Sequence, residues 1–287
     1  MSRSEGVPNN ETIVESPLVS IVTQVLNGVK YLEPCIQSVL TQSYPRVEHI
    51  IVDGASTDGS VELISCYARQ YPDRIRFISE PDRGSGDAFN KGLRMAKGKI
   101  LGWIGSDDMY EPNAVESIVA FFGSNPDAHF VYGGLNHIDE KGELIAAYKA
   151  EPFDLEQLIN DRCVIPTPSA FSKREVIQTV GEFDFLGNDL DFFIRVAKVF
   201  KIHWIDKVLS NYRIHPGSAN SGSNVRIRLM WKREDCIVSR RHGARFLSGY
   251  CKRYYRLTII EGLRPILGPV YPLIKRTRNW LDRIAPD

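Results

Sequence analysis

The apolar positions of the first hundred residues switch between two spacings. Residues 18–25 form a β-branched run that predicts a strand. Leu32, Ile36, Val39 and Leu40 then fall at i, i+4, i+7 and i+8, one face of a helix, which Tyr44 and Pro45 end. Residues 47–52 predict a second strand, residues 53–59 break it, and Val61, Ile64 and Ala68 mark the next helix. Residues 74–79 alternate as a third strand, residues 80–87 form a charged loop, and residues 88–96 read as a helix that Gly98 stops. The apolar run 100–104 is a fourth, buried strand. Strands and helices in this alternation, with short connections, imply an α/β fold: a mostly parallel sheet flanked by helices and joined by right-handed crossovers.

Beyond residue 105 the pattern is less regular. Residues 114–122 predict an amphipathic helix, 129–137 and 143–148 two strands joined by a turn at 139–142, and 153–160 a short helix. Pro166 and Pro168 make residues 165–169 a rigid, extended loop. A loop over 180–187 leads to Asn188, Asp189 and Asp191, and Phe192, Phe193, Val196 and Phe200 define the inner face of the helix that follows. Residues 202–212 are a last strand, ending at Arg213, Ile214 and His215.

The polar residues gain meaning from this topology. Loops after parallel strands gather along one sheet edge, where ligands bind. That edge collects Asn27, the acids of 53–58, those of 82–87, and Asp107 with Asp108. Two adjacent carboxylates at the end of a buried strand repel each other and resist desolvation unless a cation neutralises them. A divalent metal with oxygen ligands, shared with a diphosphate, meets that need. Each loop also has a plainer reading. Asp107 and Asp108 can begin a turn and cap the next helix, Ser56 or Thr57 can cap the helix after residue 59, and Asp189 with Asp191 can favour a helix N-terminus.

Taken in order, the segments resemble the family 2 inverting glycosyltransferases of GT-A fold, with similarity over residues 18–221. The resemblance rests on Val19 to Thr23 with Asn27, Ile51 to Gly59, Ser79 to Gly84 with Asp87 to Gly92, Ser106 to Asp108, Gly181 to Asp184, Asn188 to Asp191, and Tyr212 to His215. It implies a nucleotide-diphospho-sugar transferase in which Asp53 accepts a hydrogen bond from a pyrimidine ring N–H, so that uracil or thymine is favoured over cytosine. Thr23 and Asn27 line the same nucleotide pocket in this analogy. Arg83 and Lys91 stand near the sugar-diphosphate path, or are surface charges. Ser106, Asp107 and Asp108 resemble the family's metal motif with Ser at its first place. Asp108 is then the direct ligand of Mn or Mg, Asp107 faces the ribose or sugar, and His215 helps hold the metal or diphosphate from the other side.

The resemblance makes Asp189 the catalytic base, at the second place of the family's Glu–Asp pair, with Asn188 at the first. It takes the proton of the acceptor hydroxyl as that oxygen attacks the anomeric carbon. A single displacement of this kind turns an α-linked donor into a β-linked product. Pro168, Ser169 and Asp191 fall in the acceptor region. The implied activity is metal-dependent, hexosyl-type transfer from a UDP-sugar to a sugar or lipid-linked acceptor, in surface polysaccharide or glycolipid assembly. Two other classes compete. A nucleotidyltransferase of similar sheet would release pyrophosphate instead of UDP, and a non-catalytic carbohydrate-binding or scaffold protein would not need Asp108, Asp189 and His215 intact.

Composition changes the picture in two places. The 287 residues, 43% hydrophobic and 25% charged with a net charge of +1, are ordinary for a globular chain and give no support to nucleic-acid binding. Residues 225–287, however, hold 15 Lys and Arg against 5 Asp and Glu, interleaved with Tyr250, Tyr254, Tyr255, Tyr271 and Trp280. The chain therefore divides into a disordered N-terminal arm (1–17), the glycosyltransferase domain (18–222) and a basic, aromatic, helical C-terminal extension (223–287), which Pro265 and Pro269 split into two short helices. The extension either packs on the domain or a second subunit, or lies on an anionic membrane surface. No run approaches the roughly 20 apolar residues of a membrane span, and the polar start of the chain does not read as a signal peptide. The second place is the cysteines, five in number with no CxxC pair. They are expected as reduced thiols in a cytoplasmic protein, peripheral at most on the inner face of the membrane.

Overall fold

Strands made almost wholly of buried side chains form the spine of the molecule. The computed structural model describes residues 16–184, 189–218 and 225–267. Its first half runs β1 (Val19–Val25), α1 (Val29–Leu40), β2 (Val47–Asp53), α2 (Ser60–Gln70), β3 (Ile75–Ser79), α3 (Ser85–Met95) and β4 (Ile100–Gly105). It continues through β5 (Met109–Tyr110), α4 (Ala114–Ser124), β6 (Phe130–Ile138), β7 (Leu144–Tyr148), α5 (Leu155–Asn160), β8 (Ala170–Lys173) and α6 (Arg174–Val180). The last elements are α7 (Asp189–Val199), β9 (Ile202–Arg213), α8 (Val225–Arg241) and α9 (Gly249–Leu267).

The strands join one sheet in the order β3-β2-β1-β4-β8-β6-β9-β5, with β7 added to β6. From β3 to β4 every pairing is parallel, as the sequence predicts, with Val19 beside Val47 and Ile100. The other half is mixed. β8 runs antiparallel to both β4 and β6, whereas β9 is parallel to β6. β7 follows β6 through a tight turn, a connection that permits only antiparallel pairing.

Both faces of the sheet are covered. On one, Trp103 meets Phe183 and Phe192 edge-on with ring centroids 5.4 and 5.9 Å apart, over Phe130 and Phe193. Each such ring contributes on the order of 1.5–3 kcal/mol by leaving water. On the other face Ile21, Cys35, Val39, Ile118 and Phe171 pack together. Gly92 lets α3 lie close on β1, since a Cβ there would overlap the side chain of Val22.

Several boundaries differ from the sequence reading. α3 begins at Ser85, because Asp82 accepts the Gly84 N–H at 2.9 Å and Asp87 the Arg83 N–H at 3.1 Å, so the acids of this loop start the helix. Residues 167–169, expected as extended, form a single 3-10 turn that leads into β8 and α6, elements the periodicity did not mark. Pro265 lies inside α9, and the break in the extension falls at residues 242–248. Cys236 and Cys251 are not free thiols. They form a disulfide across the α8–α9 hairpin, with Cα atoms 4.7 Å apart. Residues 1–15 of the expected arm, Asn188, Pro269, Tyr271 and Trp280 lie outside the described residues.

Candidate active site

The carboxyl ends of β1, β2, β3 and β4 meet at one edge, and the polar residues there divide into scaffold and site. Asp53, the last residue of β2, is fully buried. Its Oδ2 accepts the Ser56 N–H at 2.9 Å and the Ser79 hydroxyl at 2.7 Å, whereas its Oδ1 has no partner and no solvent. A buried carboxylate oxygen left this way is costly until a donor reaches it. Asn27, held at φ 50, donates its N–H to Ser56 Oγ and accepts the Thr57 N–H at 2.9 Å, so it clips the 53–59 loop in place.

Three other predicted donor residues serve the scaffold too. Thr23 is fully buried and bonds His49 Nε2 at 2.9 Å beneath the sheet edge. Burial pushes that imidazole down to about 3, so the ring is neutral. Lys91 donates to the Pro81 carbonyl at 2.8 Å and pairs with Glu80 at 2.8 Å, which pins the loop after β3. Arg83 pairs with Asp87 at 2.9 Å one helical turn on, with its side chain 74% exposed.

The two adjacent acids behave differently from each other. Asp108 is buried, its Oδ1 accepts the Arg213 N–H at 2.9 Å, and desolvation together with the charge of Asp107 raises its carboxyl well above the usual range. Asp107 reaches across to His215 Nε2 at 3.0 Å. It is thus Asp107, not Asp108, that the structure brings to the histidine. Arg213 ties the corner together: its guanidinium donates to the carbonyls of Asp107 and Asp139 and lies 4.9 Å from the centre of the Tyr31 ring, on which His215 also packs. Sequence reasoning passed over Arg213 and Tyr31, although Arg213 sits inside the Tyr212 to His215 run.

Asp189 opens α7, and its Oδ2 accepts the Thr167 hydroxyl at 2.7 Å. Surrounding protein desolvates the carboxyl and raises it to about 6. The Thr167 hydroxyl opposes that shift, and the charge of Asp235 adds to it. The proline-containing turn thus has a definite part: it delivers Thr167 to Asp189. Of the predicted acceptor residues, Pro168 lines the cavity described next. Ser169 is buried, bonded to the Gly134 carbonyl at 2.8 Å and to Ser210 Oγ. Asp191, two positions along the helix from Asp189, points elsewhere and binds Arg195 at 2.7 Å and His242 at 2.9 Å.

A cavity of about 900 Å³ joins the Asp107–Asp108 corner to Asp189, whereas Asp53, Asn27 and His215 are not among the residues that line it. Asp107 and Asp108 lie on its wall, as do Asp189, Thr167 and Pro168, and Trp231, Lys232 and Arg253 of the extension line it as well. Gln24 and Trp103 also line it, and the buried Gln24 Oε1 and Trp103 Nε1 have no hydrogen-bond partner. Among the described residues, no three His, Cys, Asp or Glu side chains are grouped closely enough to hold a metal by themselves. Asp107, Asp108 and His215 fit a divalent cation in ligand chemistry, and such a cation would offset the desolvation and the Asp107 repulsion that raise the Asp108 carboxyl. Phosphate oxygens of a bound donor would have to complete the coordination.

The fold and this cavity define a GT-A-type sugar transferase. Residues 20–181 match the model of "Glycosyl transferase family 2", more than half of the chain, and the protein belongs to that family. An uncharacterized glycosyltransferase of Rickettsia prowazekii is 31% identical over 297 residues, 91% of this chain and 90% of that protein. A glycosyltransferase of Rickettsia felis, also uncharacterized, is 30% identical over 230 residues, and there the match spans 75% of this chain but 38% of the longer relative. Chondroitin synthase of Escherichia coli is 30% identical over 206 residues, 71% of this chain and 30% of that protein.

Among solved structures, the mannosyltransferase PcManGT of Pyrobaculum calidifontis, in complex with GDP-Man and Mn2+, superposes with TM-score 0.64 at 18% identity, over 95% of this chain and 82% of that one. Staphylococcus aureus TarS in complex with UDP-GlcNAc superposes with TM-score 0.58 at 15% identity, over 77% and 66%. At these identities the likeness is one of fold.

Proposed function

We propose that this glycosyltransferase moves a sugar from a UDP-sugar to a hydroxyl of a sugar or lipid-linked acceptor, in one inverting displacement that needs a divalent metal. The observation that carries the reading is the shared cavity. The Asp107–Asp108 corner and Asp189 open into one space, as a donor held by its diphosphate at one end and attacked from the other requires. Asp189, with its carboxyl raised to about 6, is ionised at neutral pH and basic enough to take the acceptor's proton. Thr167 holds one carboxylate oxygen and leaves the other for that proton. Asp107, Asp108 and His215 would hold the metal, which when bound neutralises charge on the departing diphosphate. The unpartnered Asp53 Oδ1 supports uracil, whose N3–H is a donor, over cytosine, which lacks one.

UDP-GlcNAc in TarS agrees with a UDP-linked donor, GDP-Man in PcManGT keeps a GDP-linked donor in the test below, and Mn2+ in PcManGT agrees with the metal. Family membership favours sugar transfer over the nucleotidyltransferase reading, and turnover in the test below separates it from the scaffold reading. The same reading assigns the reaction to surface polysaccharide or glycolipid assembly on the cytoplasmic side of the membrane. The test is release of UDP from a panel of UDP-, GDP- and dTDP-sugars with Mn2+, with Mg2+ and with chelator. UDP-sugar turnover that needs metal, and that Asp108→Asn abolishes, is expected. Equal turnover in chelator overturns the metal role, and preference for GDP-sugars overturns the role of Asp53.

A further inference from the structure

α8 carries two opposed faces. Trp231, Lys232 and Asp235 face the cavity. On the other side Arg226, Met230, Arg233, Ile237 and Arg240 are exposed at i, i+4, i+7, i+11 and i+14, a single stripe in which cations alternate with apolar residues. Met230 is 49% exposed and Ile237 37%. The acid at its margin, Glu234, has its side chain 22% exposed and lies 3.7 Å from Arg233. The stripe runs into the turn before α9, where Phe246 and Leu247 are 67% and 57% exposed and the Arg240 guanidinium stands 5.3 Å from the centre of the Phe246 ring. The hairpin's inner face is already filled, by the Cys236–Cys251 disulfide and by Val238, Tyr250 and Leu257. Among the described residues, these outward apolar groups are therefore not part of the hairpin's own core.

Charge decides what they suit. Residues 225–267 hold 11 Lys and Arg against 3 Asp and Glu; Arg241, Arg245 and Arg253 pair with Asp191, Glu156 and Asp161 of the domain, and the outward stripe presents Arg233 and Arg240 beside its apolar residues. A purely apolar partner would desolvate the interleaved arginines, and a simple polyanion leaves Phe246 and Leu247 in water. A surface that is anionic outside and apolar a few ångströms deeper satisfies both. We propose that the exposed face of α8 and the Phe246–Leu247 turn dock on an anionic lipid bilayer, with the two apolar side chains at the headgroup boundary and Arg226, Arg233 and Arg240 on the headgroups. This surface lies upstream of most of the tail that sequence alone marks as basic and aromatic. It does not depend on the transferase reading.

The test is flotation of the full chain with vesicles of phosphatidylcholine alone or mixed with phosphatidylglycerol, at low and high salt and without nucleotide. Flotation is expected only with phosphatidylglycerol, and less at high salt. The triple variant Arg226→Gln, Arg233→Gln, Arg240→Gln should weaken binding by roughly fivefold per charge. Phe246→Ser with Leu247→Ser should weaken it about tenfold even at low salt. Thermal melts check that both variants remain folded, as expected for exposed positions. Wild type that stays with the unbound fraction overturns the proposal. So does flotation on phosphatidylcholine alone, and so do folded variants that float like wild type, since the contact then lies elsewhere.

Discussion

Asp189→Asn separates what this carboxylate does for the reaction from what it costs the fold. Asparagine has the same shape and keeps an oxygen for the Thr167 hydroxyl, 2.7 Å from the carboxylate in the wild type, so the local structure should persist. What is lost is the proton acceptor, and turnover should fall by roughly 10²–10⁴-fold. Stability should move the other way. The carboxyl is raised to about 6 in the folded protein, against about 3.9 in an unfolded chain. Between those values the folded state binds a proton that the unfolded state has released, so stability falls as pH rises through this window and stays reduced above it. A difference of about two units corresponds to at most about 3 kcal/mol, less to the extent that cavity water screens the charge. The variant should therefore resist urea better than wild type at neutral pH, and this advantage should vanish well below the unfolded carboxyl's pKa. Urea unfolding at acid and neutral pH, with UDP release on the same preparations, reads both effects. Turnover near the wild-type level would remove Asp189 as the base. Lost turnover with no gain in stability at neutral pH would show that the carboxyl is not desolvated as described.

Three further outcomes follow from individual contacts. Thr167→Val deletes a hydrogen bond to a charged acceptor, worth on the order of 1.5–3 kcal/mol, so the acid limb of the pH–rate profile should move up from about 6, by roughly one to two units; an unmoved limb means that another group titrates. Asp53→Ala should weaken UDP binding at least about tenfold in calorimetry while affecting GDP binding much less, and equal losses would argue against a uracil contact. Thiol titration of the protein denatured without reductant should find three reactive cysteines, Cys35, Cys66 and Cys163. Five would mean that the Cys236–Cys251 bond is absent in the sample.

Much of the N-terminal half was legible in the sequence because it is local. The β-branched runs of β1, β2 and β4 and the 3.6-residue stripes on α1 and α2 specify the parallel half of the sheet, and parallel strands deliver their loops to one edge whatever those loops contain. What the loops do was not local. Thr23, Lys91 and Asn27 are polar residues beside a predicted nucleotide site, and nothing in their spacing shows that His49, the Pro81 carbonyl and the Thr57 N–H occupy them. Arg213 was hidden for the same reason, since its partners lie near residues 107 and 139. Asp189 and Asp191 look equivalent in the sequence, yet two positions on a helix turn the side chains about 200° apart. One faces the cavity and the other braces α7 against His242.

The cavity wall beyond the parallel strands was least legible, and the reason bears on specificity. The match to the family model stops at residue 181, whereas Asp189 and the wall formed by Trp231, Lys232 and Arg253 all lie beyond it. Those three are spread over a hairpin whose own register is set by Cys236, Cys251 and Tyr250, so their convergence on one cavity exists only after α8 and α9 have packed. In the proposed reaction, donor chemistry would be tied to strand ends that the parallel sheet fixes, and those positions have little freedom to change without disturbing β1 to β4. The extension has more. Its cavity-facing residues can vary while the disulfide and the buried side chains hold the hairpin, much as binding loops vary on a rigid scaffold. Trp231 offers an apolar ring face, and Lys232 and Arg253 offer cations tempered by Asp235 and Asp161. In the proposed reaction that surface would meet the acceptor, so selection among acceptors would rest with α8 and α9 more than with the strand-end carboxylates.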